Sequence, residues 1–213
     1  MLAEHHIPDF SPEAEEAATV RGERFRFTVL TPRLVRAEYD PDGDFEDRPS
    51  QVFWHRDQSV PEFDVTRTGK EVAIETDALR LQYKPGEGFT PSTLSAHVRD
   101  TGAVWHYGDE DPGNMGGTVR TLDRVEGSTA LEPGLLSGDG WTVLDDTDSL
   151  VFEADGWVTP REASEDYEDL YVFGYGHDYL GALEDFTAVA GDVPMVPRWA
   201  LGNWWSRYAD YSA

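Results

Sequence analysis

The sequence contains no cysteine, which excludes disulfide staples, thiolate nucleophiles and thiolate metal ligands. Lysine is nearly absent: Lys70 and Lys84 are the only two, and every other cationic side chain is arginine. No apolar run approaches the roughly 20 residues that a bilayer-spanning helix needs, so a membrane partner is not expected. The opening MLAEHHIPDFSPEAEEAA is acidic and lacks the apolar middle of a secretory signal. A soluble, cytoplasmic protein is the expectation. HExxH, GxSxG and Walker patterns are all missing. His5 and His6 lie in the opening stretch, and His55, His97, His106 and His177 are scattered without ligand spacing. A metal is therefore not expected. Gly174-Tyr175-Gly176 is only GxG, a turn rather than a phosphate cradle.

Acidic residues are what the sequence has in excess. Asp and Glu number 42 against 17 Lys and Arg, for a formal net charge of −25. Such a field repels nucleic acid and anionic membranes, which excludes both as partners. Scarce lysine with abundant carboxylate also fits adaptation to high salt, where screening relieves the self-repulsion.

Along the chain, residues 1–18 read as a mobile acidic tail. From Arg21 the period becomes two. Phe25, Phe27 and Val29 alternate with Arg24, Arg26 and Thr28, which predicts a half-buried strand with one wet face. Strands are expected at 34–39, 52–54, 63–66, 72–75, 79–83, 94–98, 103–107, 141–144, 150–152 and 170–173. Turn-forming residues separate them, and Asp145 to Asp148 is expected to close a hairpin. This spacing argues for a mainly β, antiparallel sandwich. Residues 108–140 are glycine-dense and without period, and a loop this long inside a domain is usually functional. The single convincing helix is 178–190, with Asp178 as N-cap and Gly191 just past its end. Its expected apolar face is Tyr179, Leu183, Phe186 and Ala190.

The stretch PMVPRWALGNWWSRYADYSA, from Pro194 to Ala213, reads differently. Residues 199–205 run nearly without charge between Pro197 and Arg207, as does a strand buried on both faces of a parallel sheet. The expectation is that the polypeptide ends where another domain begins. PRWALGNWWSRY resembles the first barrel strand of glycoside hydrolase family 31, the α-glucosidase and α-xylosidase family. Three further blocks extend the resemblance in the right order: GGTVRTLD at 116–123, GLLSGDGW at 134–141 and LYVFGYGHDY at 170–179. It covers about residues 20 to 213 and is strongest after Asn114. The resemblance implies a galactose mutarotase-like β-sandwich at 19–192, one helix, and from 193 the first strand of a truncated (β/α)8 barrel.

Glycoside hydrolysis needs two carboxyl groups, set roughly 5 Å apart for retention or 6.5–9.5 Å for inversion. Spacing alone cannot pick a pair from 42 acids, and most of these read as solvated surface. By the resemblance, the nucleophile and the acid/base are aspartates on later barrel strands, so no catalytic residue is expected in this sequence. Active sites of such barrels form at the carboxyl ends of several strands, and one strand cannot make one. The resemblance implies three substrate-binding candidates. Tyr208, past the putative first barrel strand, would face a sugar ring. Asp123 would accept from sugar hydroxyls in a loop sent over the barrel mouth. Arg120 is the third candidate, and would also suit pairing with a carboxylate in the same loop. Trp204 and Trp205 suit a core or domain interface better than a sugar platform.

The function implied by the resemblance is the N-terminal portion of a retaining α-glycosidase of α-glucosidase type, acting on an α-glycoside or oligosaccharide without a metal or organic cofactor. This portion alone is expected to be inactive, serving to shape the substrate pocket and support the barrel. Two other readings stay open: a stand-alone carbohydrate-binding sandwich, and one subunit of a split glycosidase whose barrel is a separate chain.

Overall fold

The alternation around Phe25, Phe27 and Val29 builds a strand at the heart of a two-sheet sandwich. The computed structural model describes residues 8–86, 88–119, 124–193, 195–203 and 205. Among them are twelve strands: β1 (Thr19–Arg21), β2 (Phe25–Thr31), β3 (Leu34–Tyr39), β4 (Asp64–Arg67), β5 (Val72–Glu75), β6 (Leu79–Tyr83), β7 (Leu94–Val98), β8 (Val104–His106), β9 (Thr142–Asp145), β10 (Val151–Phe152), β11 (Val158–Thr159) and β12 (Glu168–Phe173). One sheet runs β1-β2-β3-β12-β9 and the other β4-β5-β6-β7-β8, with all neighbours antiparallel; β10 and β11 form a small separate ribbon. The expected mainly β, antiparallel sandwich is what forms.

The period of two decides what each face does. Phe25, Phe27, Val29, Val35, Ala37, Leu170 and Val172 point inward from the first sheet. They meet Ile74, Leu79, Leu81, Tyr83, Leu94, Ala96 and Val98 from the second. Burying a Phe or Leu completely stabilises by about 1.5–3 kcal/mol, and Phe27, Leu81 and Val172 have essentially no exposed surface.

The other face of β2 and β3 corrects the expected wet face. All six residues of β3 and the first six of β2 are buried, Arg26, Thr28, Arg36 and Glu38 included. Irregular segments cover this face, and the buried charges find one another. Arg26 Nε and Nη2 donate to Glu38 at 2.6 and 2.9 Å. Of the expected wet face only Arg24 is exposed, while Arg26 and Arg36 pair with Glu38 rather than meeting water.

Residues 8–18, expected as a mobile tail, form part of that cover. Ser11 bridges to His55, Phe10 packs on Trp54 and Phe152, and Ala18 is buried. Three apolar or aromatic contacts outweigh the acidic composition of the stretch. Residues 52–54 are not a strand, because Phe53 serves the core from an irregular segment, stacking on Tyr171 with ring centroids 3.4 Å apart. Asp145 to Asp148 does not close a hairpin. β9 pairs with β12 while β10 pairs with β11, so the flanking strands part company there.

The helix α1 (Tyr179–Ala190) forms as expected, with Asp178 Oδ1 accepting from the Gly181 amide at 3.1 Å. Its buried face is Ala182, Phe186 and Val189, while Leu183 is exposed. The amides of Trp54 and His55 donate to the Val189 carbonyl at 3.0 and 2.9 Å, and Tyr175 Oη donates to Asp185. These bonds set the rotation of the helix against Phe53 and Phe173 and turn the expected stripe partly outward.

The expected strand at 199–205 is not formed among the described residues. Arg198–Leu201 is a short 3-10 helix instead, with Trp199, Leu201 and Trp205 all at least 77% exposed. A central strand needs neighbours to satisfy its backbone. Here the segment closes its own bonds, from the Ala200 amide to the Pro197 carbonyl and from the Gly202 amide to the Trp199 carbonyl. Trp204 lies outside the described residues.

Candidate functional site at the long loop

The long loop at 108–140 leaves the end of β8 and returns to β9, bridging the open edges of the two sheets. Its root is built rather than loose. The Met115 amide donates to the Leu136 carbonyl, the Gly117 amide to Glu132 and the Glu132 amide to Thr118, at 2.9, 2.7 and 3.1 Å. Two arms of the loop thus run as an irregular ladder. A Cβ on Gly134 would lie 2.5 Å from the Gly116 carbonyl oxygen, so only glycine lets the arms approach this closely.

Asn114 ties the ladder together. Its Oδ1 accepts from the amides of Gly116 and Gly134 at 3.0 and 2.7 Å. Its Nδ2 donates to Asp111 and to the Gly134 carbonyl at 2.9 and 3.0 Å. Ser137 donates to the other oxygen of Asp111, and the Gly113 amide donates to Asp139 at 3.0 Å. An amide side chain can make four hydrogen bonds, and Asn114 makes all four.

The return arm is fixed to the start of the helix. The Gly176 amide donates to the Gly140 carbonyl at 2.9 Å, and His177 Nε2 lies 3.2 Å from the Gly138 carbonyl. Two blocks far apart in sequence, 134–141 and 170–179, therefore meet at one joint. His177 serves this joint, and among the described residues no group of His, Asp and Glu could hold a metal.

A cleft of about 300 Å³ opens under the loop, walled by Trp105, Tyr107, Asp109, Asn114, Trp141 and Asp145 among others. Trp105 and Trp141 have ring centroids 6.3 Å apart and form its apolar side. Tyr107 Oη donates to Glu168. Burial pushes the Glu168 carboxyl up, and burial together with that carboxylate pushes the Tyr107 phenol up. Asp109 and Asp145 accept from backbone amides of His106 and Thr147. The carboxylates around the cleft are occupied in holding loops, which suits a wall that binds more than a proton-transfer pair.

Of the expected site residues, Arg120, Asp123 and Tyr208 lie outside the described residues. Asn114 and Asp111 escaped sequence reasoning because an aperiodic glycine-rich stretch gives no hint of which side chains knit it. The ionic cluster behind β2 and β3 escaped for the opposite reason, since alternating charge reads as a wet face.

The described architecture is that of a two-sheet β-sandwich carrying one long loop and one flanking helix. No family model matches the sequence, and no curated protein matches it. Solved structures do match. A mutant of a Flavobacterium johnsoniae GH31 dextranase, complexed with isomaltotriose, superposes over 84% of this chain with a TM-score of 0.51 and 16% sequence identity. The same dextranase complexed with glucose gives the same values. A GH31 alpha-xylosidase from Xanthomonas citri matches over 41% of this chain and 10% of its own, at 22% identity and a TM-score of 0.32. The chain spans 27% of the dextranase's length. The fold of this chain is thus similar to that of a part of a GH31 enzyme, as the resemblance to glycoside hydrolase family 31 implies.

Proposed function

We propose that this chain is the N-terminal β-sandwich portion of a retaining α-glycosidase of family 31, α-glucosidase-like in its substrate class. Its task is to shape the substrate pocket with the loop at 108–140 and to support a catalytic barrel. The observation that carries this reading is the joint between 134–141 and 170–179, two blocks of the family resemblance that hydrogen-bond at the root of the loop. A loop anchored so firmly at its root can hold its tip over a neighbouring domain. On this reading the barrel begins at 193. Asp123 and Arg120 at the tip meet sugar hydroxyls, and Tyr208 faces the sugar ring; the catalytic aspartates belong to the barrel. The isomaltotriose bound by the dextranase makes α-linked glucose oligosaccharides the first substrates to try.

One subunit of a split glycosidase is the second reading, favoured by the exposure of Trp199, Leu201 and Trp205, which suits a hydrophobic partner surface. The excess of 42 acidic over 17 basic residues supports a high-salt setting for either.

The test is to produce the chain alone and together with whatever polypeptide is encoded directly downstream of Ala213. Hydrolysis of isomaltotriose or of an aryl α-glucoside is expected only with the downstream product, and Asp123→Asn is expected to raise KM more than it lowers kcat. Sugar binding by the chain alone at its full affinity, with no barrel encoded nearby, would instead make it a stand-alone binding module.

A further inference from the structure

The cleft under the long loop carries hydrogen-bonding groups that the fold does not use. Trp105 and Trp141 line it, and the two residues are only 2% and 8% exposed. Neither indole N–H donates to any group among the described residues. The side-chain atoms that are both unpartnered and sealed from solvent are Trp54 Nε1, Arg56 Nη2 and Arg80 Nε. The nitrogens of Trp105 and Trp141 are not among these, so each keeps surface that a small molecule can touch, on a ring whose remainder is packed away. The ring centroids are 6.3 Å apart, and this cleft is the space that both rings line. An indole N–H is a donor only, and it usually has a partner when its ring is buried.

Asp109 and Asp145 line the same cleft. Each holds a loop with one oxygen: Asp109 Oδ2 accepts from the His106 amide at 2.8 Å, and Asp145 Oδ1 from the Thr147 amide at 3.0 Å. The second oxygen of each accepts from nothing among the described residues, and both residues are exposed. Leu144 and Leu170 add apolar wall. Carboxylates repel an anion, and indole N–H groups turn their positive end to a cation. A hydroxyl suits both sets, since it accepts from an indole and donates to a carboxylate. A sugar ring carries several hydroxyls on a frame of apolar C–H groups. The cleft volume of about 300 Å³ lies at the lower end for ligand sites and suits a small saccharide rather than a long chain.

We propose that this cleft is a binding site for a small neutral saccharide, whose hydroxyls accept from the Trp105 and Trp141 indoles and donate to Asp109 and Asp145. The site is built from the sandwich and the root of its loop, so it needs neither a barrel nor Asp123 and Tyr208. It gives the sandwich a saccharide contact of its own, whatever a neighbouring domain does.

The test is proton–nitrogen correlation NMR of the full chain, with the two indole signals assigned through Trp105→Phe and Trp141→Phe. Glucose and isomaltotriose are expected to shift both signals saturably, with a Kd of about 1–10 mM, the range for so small a ligand. Glucuronate should bind about tenfold more weakly, because its charge meets two carboxylates. Trp105→Phe keeps most of the packing and loses the donor, and should weaken glucose binding about 3–10-fold, read from the Trp141 signal. If a tryptophan variant fails to fold, Asp145→Asn keeps an acceptor for the Thr147 amide and should still weaken binding about threefold, read by saturation transfer to the sugar. Two indole signals that stay still, or that glycerol moves equally at the same hydroxyl concentration, overturn the proposal and leave a water-filled cleft. Equal binding of glucuronate, or no change in Asp145→Asn, overturns the part given to the carboxylates. Binding that survives both tryptophan variants and falls in Asp123→Asn belongs to the pocket at the loop tip and overturns this site. Binding lost in Trp105→Phe and kept in Asp123→Asn is the expected pattern.

Discussion

Arg36 and Asp169 form a two-pronged pair, Nε to Oδ1 at 2.8 Å and Nη2 to Oδ2 at 2.7 Å, diagonal across the β3–β12 register. Both side chains are buried, at 2% and 0% exposure, and Asp169 also accepts from Arg161 Nη1 at 2.7 Å. Removing one partner of such a pair strands the other. Asp169→Asn leaves Arg36 and Arg161 short of a counter-charge and should cost about 3–5 kcal/mol. Urea unfolding at neutral pH reads this directly; a loss near zero would mean that water reaches the layer.

The same carboxyl sets an acid limit. Burial alone would push Asp169 up, but Arg36 and Arg161 beside it hold it well below the usual carboxylate range. A carboxyl depressed on folding contributes stability that is complete above its unfolded value, near 3.9, and is lost as pH falls through the folded value. The gap between wild type and Asp169→Asn should therefore be constant from pH 7 to about pH 5 and shrink only in stronger acid.

Glu168, the next residue, should behave with the opposite sign. Burial raises its carboxyl, so the folded state holds the proton more tightly than the unfolded state. Its contribution is greatest below the unfolded value and falls as pH rises through the raised one. Glu168→Gln keeps an acceptor for Tyr107 and removes the charge. Its stability relative to wild type should improve between pH 4.5 and pH 7.5, measured by thermal unfolding; a worsening would contradict the assignment.

Much of this fold is readable from residues taken two at a time. Phe25-Phe27-Val29 and Leu79-Leu81-Tyr83 announce strands because a strand with one face inward repeats every second residue. Asp178 and Gly191 announce the helix ends. What the pattern cannot carry is which cover lies over the second face. Arg26, Arg36 and Glu38 look wet until segments 8–18 and 44–56 are seen lying on them. Phe53 looks like a strand residue because an aromatic among apolar neighbours gives no sign that it serves the core from a loop. The rotation of α1 is likewise set from outside, by the Trp54 and His55 amides on the Val189 carbonyl. In the long loop, glycine density marks the place, but the knot at Asn114 depends on partners 20 residues away in sequence.

That knot makes its own prediction. Asn114→Ala removes two donors and two acceptor contacts at the root of the loop. The cost in global stability should be modest, about 1–3 kcal/mol for partly exposed groups left unmatched. The local effect should be larger. Limited proteolysis between residues 115 and 135 is expected to speed up at least tenfold, with the sandwich fragments surviving. Unchanged cleavage would mean that Asp111, Ser137 and Asp139 hold the root without Asn114.

The described residues between 193 and 205 present an unusual amount of apolar surface. Val193 is 81% exposed, Met195 96%, and Trp199, Leu201 and Trp205 77–80%. Leu180 and Leu183 on α1 add exposed apolar area. Large exposed patches of this kind mark interaction surfaces or aggregation-prone ones. Among the described residues the sandwich core is closed without these side chains, since its two buried clusters end at Val172 and at Val189. Deleting 193–213 should therefore leave the unfolding midpoint within about 2 °C of the intact chain, an effect below roughly 0.5 kcal/mol. Binding of an apolar fluorescent dye should fall at the same time, and self-association at high concentration should weaken. A large drop in midpoint would mean that the segment packs on the sandwich. An unchanged dye signal would place the sticky surface on α1 instead, where Leu180→Lys becomes the variant that removes it.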